Sequence, residues 1–325
     1  MINMSTKTKK IDQSEQFCID TINGLNANPK YLSSKYFYDQ TGDQIFQQIM
    51  DADEYYLTNS EMEIFATQTE ELAKTIALNG YPFDLIELGA GDATKSIHLL
   101  KQLISDEMDF HYLPIDISEN VINLLSETLP AQLPELKMKG LNGEYFEMLK
   151  EAASFSNRRK VVLFMGANIG NMTPEEAAHF CEDLRNQLMD GDMLIIGFDL
   201  KKNPLQILSA YSDSKGVTKS FNLNLLRRIN REIGADFNTD KFDHYASYDP
   251  ISGACKSFLI SLQDQQVMIN GESISFNKNE PIYMEISQKY NLDEIDAMMT
   301  GCGFKPVKNF LDAKEYFVDS IWQVG

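Results

Sequence analysis

Between Phe83 and Asp199 the chain alternates apolar runs with helical patterns, and no other feature restricts its fold so tightly. FDLIELGAG reads as a strand and its turn, followed by a helix from about Ala93 to Ile104. FHYLPIDIS is a second strand, and a helical pattern runs from Glu119 to Leu129. KVVLFMGANIGN is a third strand with its loop. Thr173, Pro174 and Glu176 then supply an N-cap, a first-turn proline and a capping box. The helix they start puts Ala177, Phe180, Cys181, Leu184 and Leu188 on one face. Asp190-Gly191 stops it, and DMLIIGFDL is a fourth strand. Strands and helices joined by such short connections predict an α/β fold with a parallel, doubly wound sheet.

After Leu200 the pattern changes. LNLLRRINREIGADF predicts an amphipathic helix, and SGACKSFLISLQDQQVMING and ESISFNKNEPIYMEISQKY predict antiparallel strands. The chain ends with a helix over Leu292 to Thr300, a GCGF turn and the apolar YFVDSIWQVG. Before the alternation, Phe17 to Phe65 is helical and loop-like and dense in aromatics: Tyr31, Tyr36, Phe37, Tyr38, Phe46, Tyr55 and Tyr56. Such density usually marks core, but adjacent Tyr55 and Tyr56 cannot face the same way on a helix or a strand. The expected organisation is a disordered tail over residues 1–13 and two domains. Residues 14–60 and 201–286 form an α+β domain, and residues 61–200 and 287–325 form the doubly wound α/β domain.

A net charge of -19 repels phosphate backbones and anionic lipid heads, which argues against nucleic acid and membrane partners. It tolerates a small cationic or zwitterionic ligand. Cys18, Cys181, Cys255 and Cys302 are scattered, and His98, His111, His179 and His244 lack metal-ligand spacing, so no metal is expected. MINMSTKTKKIDQSEQ lacks an apolar signal core, and no apolar run approaches the roughly 20 residues that span a bilayer. A cytoplasmic monomer acting on a small molecule is the expectation.

The loop IELGAGDATKS carries the first clue to chemistry. Gly89 and Gly91 are the first two glycines of a dinucleotide fingerprint, but Thr94 replaces the third, so the pyrophosphate seat is incomplete. Glu87, just before them, suits a ligand with positive charge or many hydroxyl donors. S-adenosylmethionine has a sulfonium, an ammonium and a ribose diol. Asp116 ends the next strand about 25 residues on, near the spacing at which a carboxylate meets ribose hydroxyls. Glu144, after Gly143, falls near the expected adenine edge. Three acids in strand-end register favour a methyltransferase-type cofactor site over solvated loop carboxylates. In GANIGN, Asn168 and Asn171 follow a strand where a reacting group would sit. An amide oxygen there can orient a substrate amine, or the asparagines simply cap the turn; taken alone, the residues favour the turn.

These segments together resemble the S-adenosylmethionine-dependent histidine Nα-methyltransferases of ergothioneine biosynthesis. YFYDQTGDQIFQQI, DEYYLTNSEMEIF, IELGAGDATKS, YLPIDIS, FMGANIGNMTPEEA, AYSDSKGVTKSFN, LNLLRRINREIGADF and MEISQKY follow in family order, from about Lys30 to the C-terminus. The resemblance implies a Rossmann-like class I methyltransferase domain beside a substrate-binding domain. It implies cofactor contacts at Gly89, Lys95, Asp116 and Glu144, with Tyr38 nearby, and S-adenosyl-L-homocysteine as product. Lys95 would meet the cofactor carboxylate. The family typically has Asp where Glu144 stands; either carboxylate accepts from the same donor. Asn171 and Tyr55 would meet the substrate amine as the catalytic pair. Tyr211, with Asn168 or nearby groups, would meet its carboxylate. Three methyl transfers, giving the trimethylated betaine hercynine, are implied in the same way.

The side-chain end is read from PIYMEISQKY. Ile282, Met284 and Ile286 alternate with Tyr283, Glu285 and Ser287, so Glu285 and Ser287 share the face opposite the apolar one, about 7 Å apart along a strand. The Glu285 carboxylate can accept an imidazole N–H, and the Ser287 hydroxyl can donate to the other nitrogen. An apolar side chain would leave both unpaired. A solvent-facing strand is the plain alternative, but Glu-x-Ser stands at the family's imidazole-recognising position, which favours histidine. Ser257 departs from the pattern, since family members can carry a larger apolar residue such as Met there. Another amino acid or small amine as substrate, or a non-catalytic cofactor-binding relative, are the other readings.

Overall fold

The computed structural model describes residues 13–77 and 80–325. Residues 1–12 of the expected tail lie outside the described residues, and Gln13 opens the first helix. The helices are α1 Gln13–Asn26, α2 Gln40–Met50, α3 Tyr56–Thr67, α4 Thr69–Ala77, α5 Ser96–Ser105, α6 Glu119–Gln132, α7 Tyr145–Phe155, α8 Pro174–Gln187, α9 Pro204–Tyr211, α10 Val217–Ile233 and α11 Leu292–Gly301. The strands are β1 Lys30–Tyr31, β2 Phe83–Leu88, β3 Phe110–Asp116, β4 Leu141–Asn142, β5 Arg159–Phe164, β6 Met193–Asp199, β7 Phe242–Tyr248, β8 Ala254–Ser261, β9 Gln265–Ile269, β10 Glu272–Phe276, β11 Pro281–Gln288, β12 Phe304–Leu311 and β13 Phe317–Val324.

The chain divides into two units. The first holds the N-terminal segment up to Tyr55, with Pro204–Asp249 and Cys255–Ile286. The second holds Tyr56–Asn203, Pro250–Ala254 and Ser287–Gly325. The boundary therefore falls at Tyr55 rather than residue 60, for a physical reason. Tyr56 donates its hydroxyl to Asp199 at the end of β6, and Glu61 accepts from Gly166 N at 2.7 Å, so α3 is bonded to the second unit's sheet. Residues 250–254 join that unit through Lys201 Nζ to Ile251 O and Gln288 Nε2 to Ser252 O.

The second unit is built on a sheet of order β12-β13-β6-β5-β2-β3-β4. β4, β3, β2, β5 and β6 are parallel, as the alternation predicts. β13, within the apolar YFVDSIWQVG, runs antiparallel to β6 and to β12, and the edge strand β12 follows the GCGF turn where no strand is expected. Covered on both faces, β2 and β6 are buried at every position, including the acidic Asp84, Glu87 and Asp199. One face of the sheet packs Ile86, Leu113, Val162, Phe164 and Leu194 against Ala177, Phe180, Cys181 and Leu184 of α8. Both arms of the Thr173/Glu176 capping box are present. The strand order reverses between β5 and β2, and ligands of open α/β sheets bind at the carboxyl ends of strands beside such a reversal.

The first unit carries a sheet of order β1-β11-β8-β7 and the β9–β10 hairpin, with α1, α2 and α10. Phe37, Phe221, Leu225, Leu226, Ile229, Leu259, Ile282 and Met284 form its core. Helix α10 starts six residues before LNLLRRI because its cap is remote. Gly216 makes no side-chain cap, and the Asp213 carboxylate accepts from Val217 N at 2.8 Å and Thr218 N at 2.7 Å. Along β11, Ile282, Met284 and Ile286 are buried and Tyr283 and Glu285 half-buried, as the alternation predicts, whereas Ser287 is also buried. No helix among the described residues is long and apolar enough to cross a membrane.

Candidate active site

The glycine loop leaves β2 at the carboxyl edge of the sheet. Gly89 and Gly91 have φ of +71° and +53°, the left-handed region that L side chains rarely enter. A Cβ on Gly89 would lie 2.7 Å from the Tyr145 hydroxyl and 3.7 Å from Asn168 Nδ2. One on Gly166 would lie 3.5 Å from Asn168 Nδ2 and 3.6 Å from Lys95 Nζ. The loops after β2 and β5, the start of α7 and Lys95 thus converge on one narrow place where only backbone fits.

Asp116 fastens the neighbouring loops. Its carboxylate accepts from Gly91 N at 3.2 Å and Ser118 N at 2.9 Å, and its carbonyl accepts from Gly143 N at 3.1 Å. In register, Asp116 pairs with Asn142, so Gly143 and Glu144 emerge beside it. Glu144 is exposed at the N-cap of α7 and makes no cap bond to that helix. Gly89, Gly91, Asp116, Gly143 and Glu144 are therefore brought together at adjacent strand ends. Tyr145, which sequence reasoning missed although it follows Glu144 directly, joins them. Burial first, then the charges of Asp116 and Glu144, pushes its hydroxyl up to about 12, so it stays neutral.

Glu87 is a correction. It lies beneath the loop, 2% exposed, and accepts a hydrogen bond from the Tyr112 hydroxyl at 2.5 Å. A side chain packed inside the sheet supports the glycine turn and does not face a ligand. Burial raises its carboxyl, with partial offset from the Tyr112 and Ser96 hydrogen bonds and the Lys95 charge, to about 7 from an ordinary 4.5. The folded state therefore binds a proton that the unfolded chain releases. The stabilisation is complete below pH 4.5 and is lost as pH rises through 7. Thermal melts should show the wild type losing stability between pH 5 and pH 8 relative to Glu87→Gln, with the two closest at pH 5. Parallel curves would show that the buried group does not titrate in this range.

Lys95 is held by a residue that no motif or spacing singles out. Glu61, 1% exposed on α3, accepts from Lys95 Nζ through Oε2 and from Gly166 N through Oε1. Burial opposes the lysine's charge, but the Glu61 carboxylate overcomes that and holds its pKa above the ordinary value. Asp319 of β13, fully buried beside this pair, is pushed well above the usual carboxylate range by burial and by Glu61, and so carries a proton.

Asn168 donates from Nδ2 to Met165 O at 2.8 Å, the local loop-holding role that its position after a strand also allowed. Asn171 closes the same 3-10 turn and is exposed. The turn abuts the end of β11: a Cβ on Gly170 would lie 2.9 Å from Gln288 O, next to Ser287.

In the first unit, Tyr55 and Tyr211 meet edge-on, ring centroids 6.2 Å apart. Tyr38 is 48% exposed and packs edge-on against Phe46 and Phe221. Glu285 is half-buried on β11. Ser257 is buried, with His244 Nε2 3.4 Å from its hydroxyl, and burial lowers His244 to about 4, leaving the ring neutral. Tyr55 and Tyr56 do diverge: Tyr56 is buried in the second unit, its hydroxyl on Asp199.

The donor set fits S-adenosylmethionine: a glycine turn of positive φ, a carboxylate at the end of β3 for a diol, a second after β4, and a lysine for a carboxylate. The model of a family described as histidine-specific methyltransferase, SAM-dependent, matches residues 17–324. The histidine N-alpha-methyltransferase of Mycolicibacterium smegmatis is 32% identical over 284 residues, 87% of each chain. That of Mycobacterium tuberculosis is 30% identical over 295 residues, 90% of each chain. Ergothioneine biosynthesis protein 1 of Neurospora crassa is 31% identical over 298 residues, 89% of this chain and 32% of that protein. The match covers both units and every residue of the glycine loop, strand ends and β11 described above, and the chain belongs to the S-adenosylmethionine-dependent, histidine-specific methyltransferases.

Proposed function

We propose that the chain methylates the α-amine of L-histidine, up to the trimethylated betaine, and releases S-adenosyl-L-homocysteine. The observation that carries the substrate is the acid and hydroxyl two residues apart on β11, Glu285 and Ser287, in a chain of this family. Glu285 accepts the imidazole N–H and Ser287 donates to the other ring nitrogen. A substrate with an apolar side chain leaves both groups unpaired, a penalty that binding alone cannot hide.

The bound cofactor supplies a methyl group already activated by its sulfonium. The chain's task is position. In this reading Asp116 receives the ribose hydroxyls and Glu144 the adenine edge, Lys95 meets the cofactor carboxylate, and Gly89, Gly91 and Gly143 admit the ligand close to the backbone. Tyr38 covers the cofactor. Asn171 and Tyr55 orient the substrate amine so that its lone pair faces the methyl, and Tyr211 holds the substrate carboxylate. The amine must shed a proton before it attacks, since α-amines are largely protonated near neutral pH. No histidine or carboxylate is assigned as the base; the proton goes to Tyr55, whose reference pKa is high, or to water. The first unit is the substrate-binding domain and the second the methyltransferase domain, in a cytoplasmic monomer.

The test is methyl transfer followed by mass spectrometry, with purified protein, S-adenosylmethionine and each of the twenty amino acids in turn. Histidine alone should gain three methyls. Product from another amino acid would keep the reaction and overturn the imidazole assignment. Cofactor binding with no product from any would overturn both.

A further inference from the structure

The packing of the second unit leaves one hydroxyl in the glycine cradle without a task. Tyr145 opens α7, and its ring packs edge-on against the buried Phe164 at the end of β5, centroids 5.8 Å apart. A phenylalanine would make that contact as well. The hydroxyl reaches on to the glycine loop. A Cβ on Gly89 would lie 2.7 Å from it and 3.6 Å from the ring carbon that bears it, so the polar end leads. Among the described residues no hydrogen bond engages it, and burial with the Asp116 and Glu144 charges is all that acts on its ionisation. A polar group brought against bare backbone in this way costs stability unless water or a ligand meets it.

Its place along the cradle says which ligand group that is. Asp116 ends β3 and Glu144 follows β4, while Lys95 Nζ lies 3.6 Å from where a Cβ on Gly166 would stand. In the reading above, S-adenosylmethionine spans these points, with adenine and ribose at the two acids and its carboxylate at Lys95. The sulfonium is bonded to the ribose methylene on one side and to the amino-acid chain on the other. It therefore falls between the acids and the lysine, over Gly89, and the Tyr145 hydroxyl is the side-chain group nearest that glycine.

What a phenol can do there differs between cofactor and product. A sulfonium polarises the C–H bonds attached to it, and the phenol oxygen accepts from them through its lone pairs. The positive charge adds its attraction to the partial negative charge of that oxygen. The thioether of S-adenosylhomocysteine is uncharged, and its sulfur offers the phenol proton only a weak acceptor. Tyr145 is neutral, so the contrast is one between a dipole and a charge, modest in size and directed at the sulfonium.

We propose that the Tyr145 hydroxyl is a cofactor contact that favours the sulfonium of S-adenosylmethionine over the thioether of its product, and so helps spent cofactor give way to fresh between successive transfers. This rests on the placement of the cofactor along Asp116, Glu144 and Lys95 proposed above. The two acids attract the sulfonium as well, but they do so whichever residue stands at position 145.

The experiment is calorimetric titration of wild type and Tyr145→Phe, without amino acid, against three ligands. These are S-adenosylmethionine, S-adenosylhomocysteine and the analogue in which a protonated, carbon-bound amine replaces the sulfonium methyl. Loss of the hydroxyl should weaken S-adenosylmethionine about fivefold, the worth of a C–H···O contact strengthened by charge, and change S-adenosylhomocysteine by less than about twofold. The amine analogue should weaken by about tenfold or more, because a charged N–H makes a full hydrogen bond to the phenol. In turnover, the inhibition constant of S-adenosylhomocysteine divided by KM for S-adenosylmethionine should fall about fivefold in parallel. Near-constant affinity for S-adenosylhomocysteine also shows that the variant is folded. A loss for S-adenosylhomocysteine equal to or greater than that for S-adenosylmethionine overturns the proposal, since the hydroxyl would then shape the glycine turn for every ligand alike. No loss for either overturns it too. A wild type that binds none of the three ligands is a different result, and removes the cofactor placement itself.

Discussion

Glu61→Gln combined with Asp319→Asn is expected to destabilise the protein by about 3 kcal/mol, well beyond the sum of the two single substitutions. Lys95 faces both carboxyls, and its side chain retains 22% exposure, which places the cost at the low end of that for stranding one partner of a buried ion pair. In the native protein Glu61 pairs with Lys95, and burial first, then Glu61, pushes the Asp319 carboxyl well above the usual carboxylate range. Removing the Glu61 charge alone lets Asp319 release its proton and take over, so the single change is mild. Asp319→Asn alone replaces a neutral group by a neutral group. Only the double variant leaves the lysine without an adjacent carboxylate. Urea unfolding of the four proteins gives the coupling directly. Additive losses would mean that the two acids do not share Lys95. The arrangement also serves the site. A protonated Asp319 keeps one negative charge out of the place where Lys95 would receive the cofactor's carboxylate.

That cluster shows what a sequence reading reaches and where it stops. The glycine turn, the acid ending β3, the capping box at Thr173 and the alternation along β11 are local. Each needs only a few neighbouring residues to express its physical meaning, so each is legible. Glu61 gives no such sign. It sits in the middle of an ordinary helical pattern, and its partners Lys95, Gly166 and Asp319 are far from it in the chain and meet it only when the sheet assembles. Lys289 and Asp199 are likewise separated in sequence and joined by the return of the chain beside β6. Glu87 misled in the opposite sense. An acid before glycines suggests a ligand contact, but β2 is covered on both faces, and every position on it is interior. Strand β7 was hidden for a third reason: its residues are half-buried or exposed beyond Phe242, so FDHYASY has no apolar alternation to read.

Asp116→Ala should weaken S-adenosylhomocysteine binding by about 100-fold or more, some 2.7 kcal/mol, and should lower turnover in parallel at fixed cofactor concentration. Two losses combine. In the proposed reading the ribose diol loses a charged acceptor, and hydrogen bonds to charged groups contribute about 1.5–3 kcal/mol. The loop loses its fastening, since the same carboxylate receives Gly91 N and Ser118 N. Asp116→Asn separates the two effects. It keeps one carbonyl oxygen for the loop and gives up the charge, so it should recover part of the affinity while remaining at least about tenfold weaker than wild type. Calorimetric titration of both variants reads the ladder directly. Wild-type affinity in Asp116→Ala would mean that the end of β3 carries the loop but not the ligand, and the diol acceptor would then have to be sought at Glu144. If Asp116→Ala and Asp116→Asn weaken binding equally, charge is the whole contribution and the bonds to Gly91 and Ser118 add nothing to affinity. The order alanine, asparagine, aspartate in rising affinity is what a carboxylate serving loop and ligand together requires.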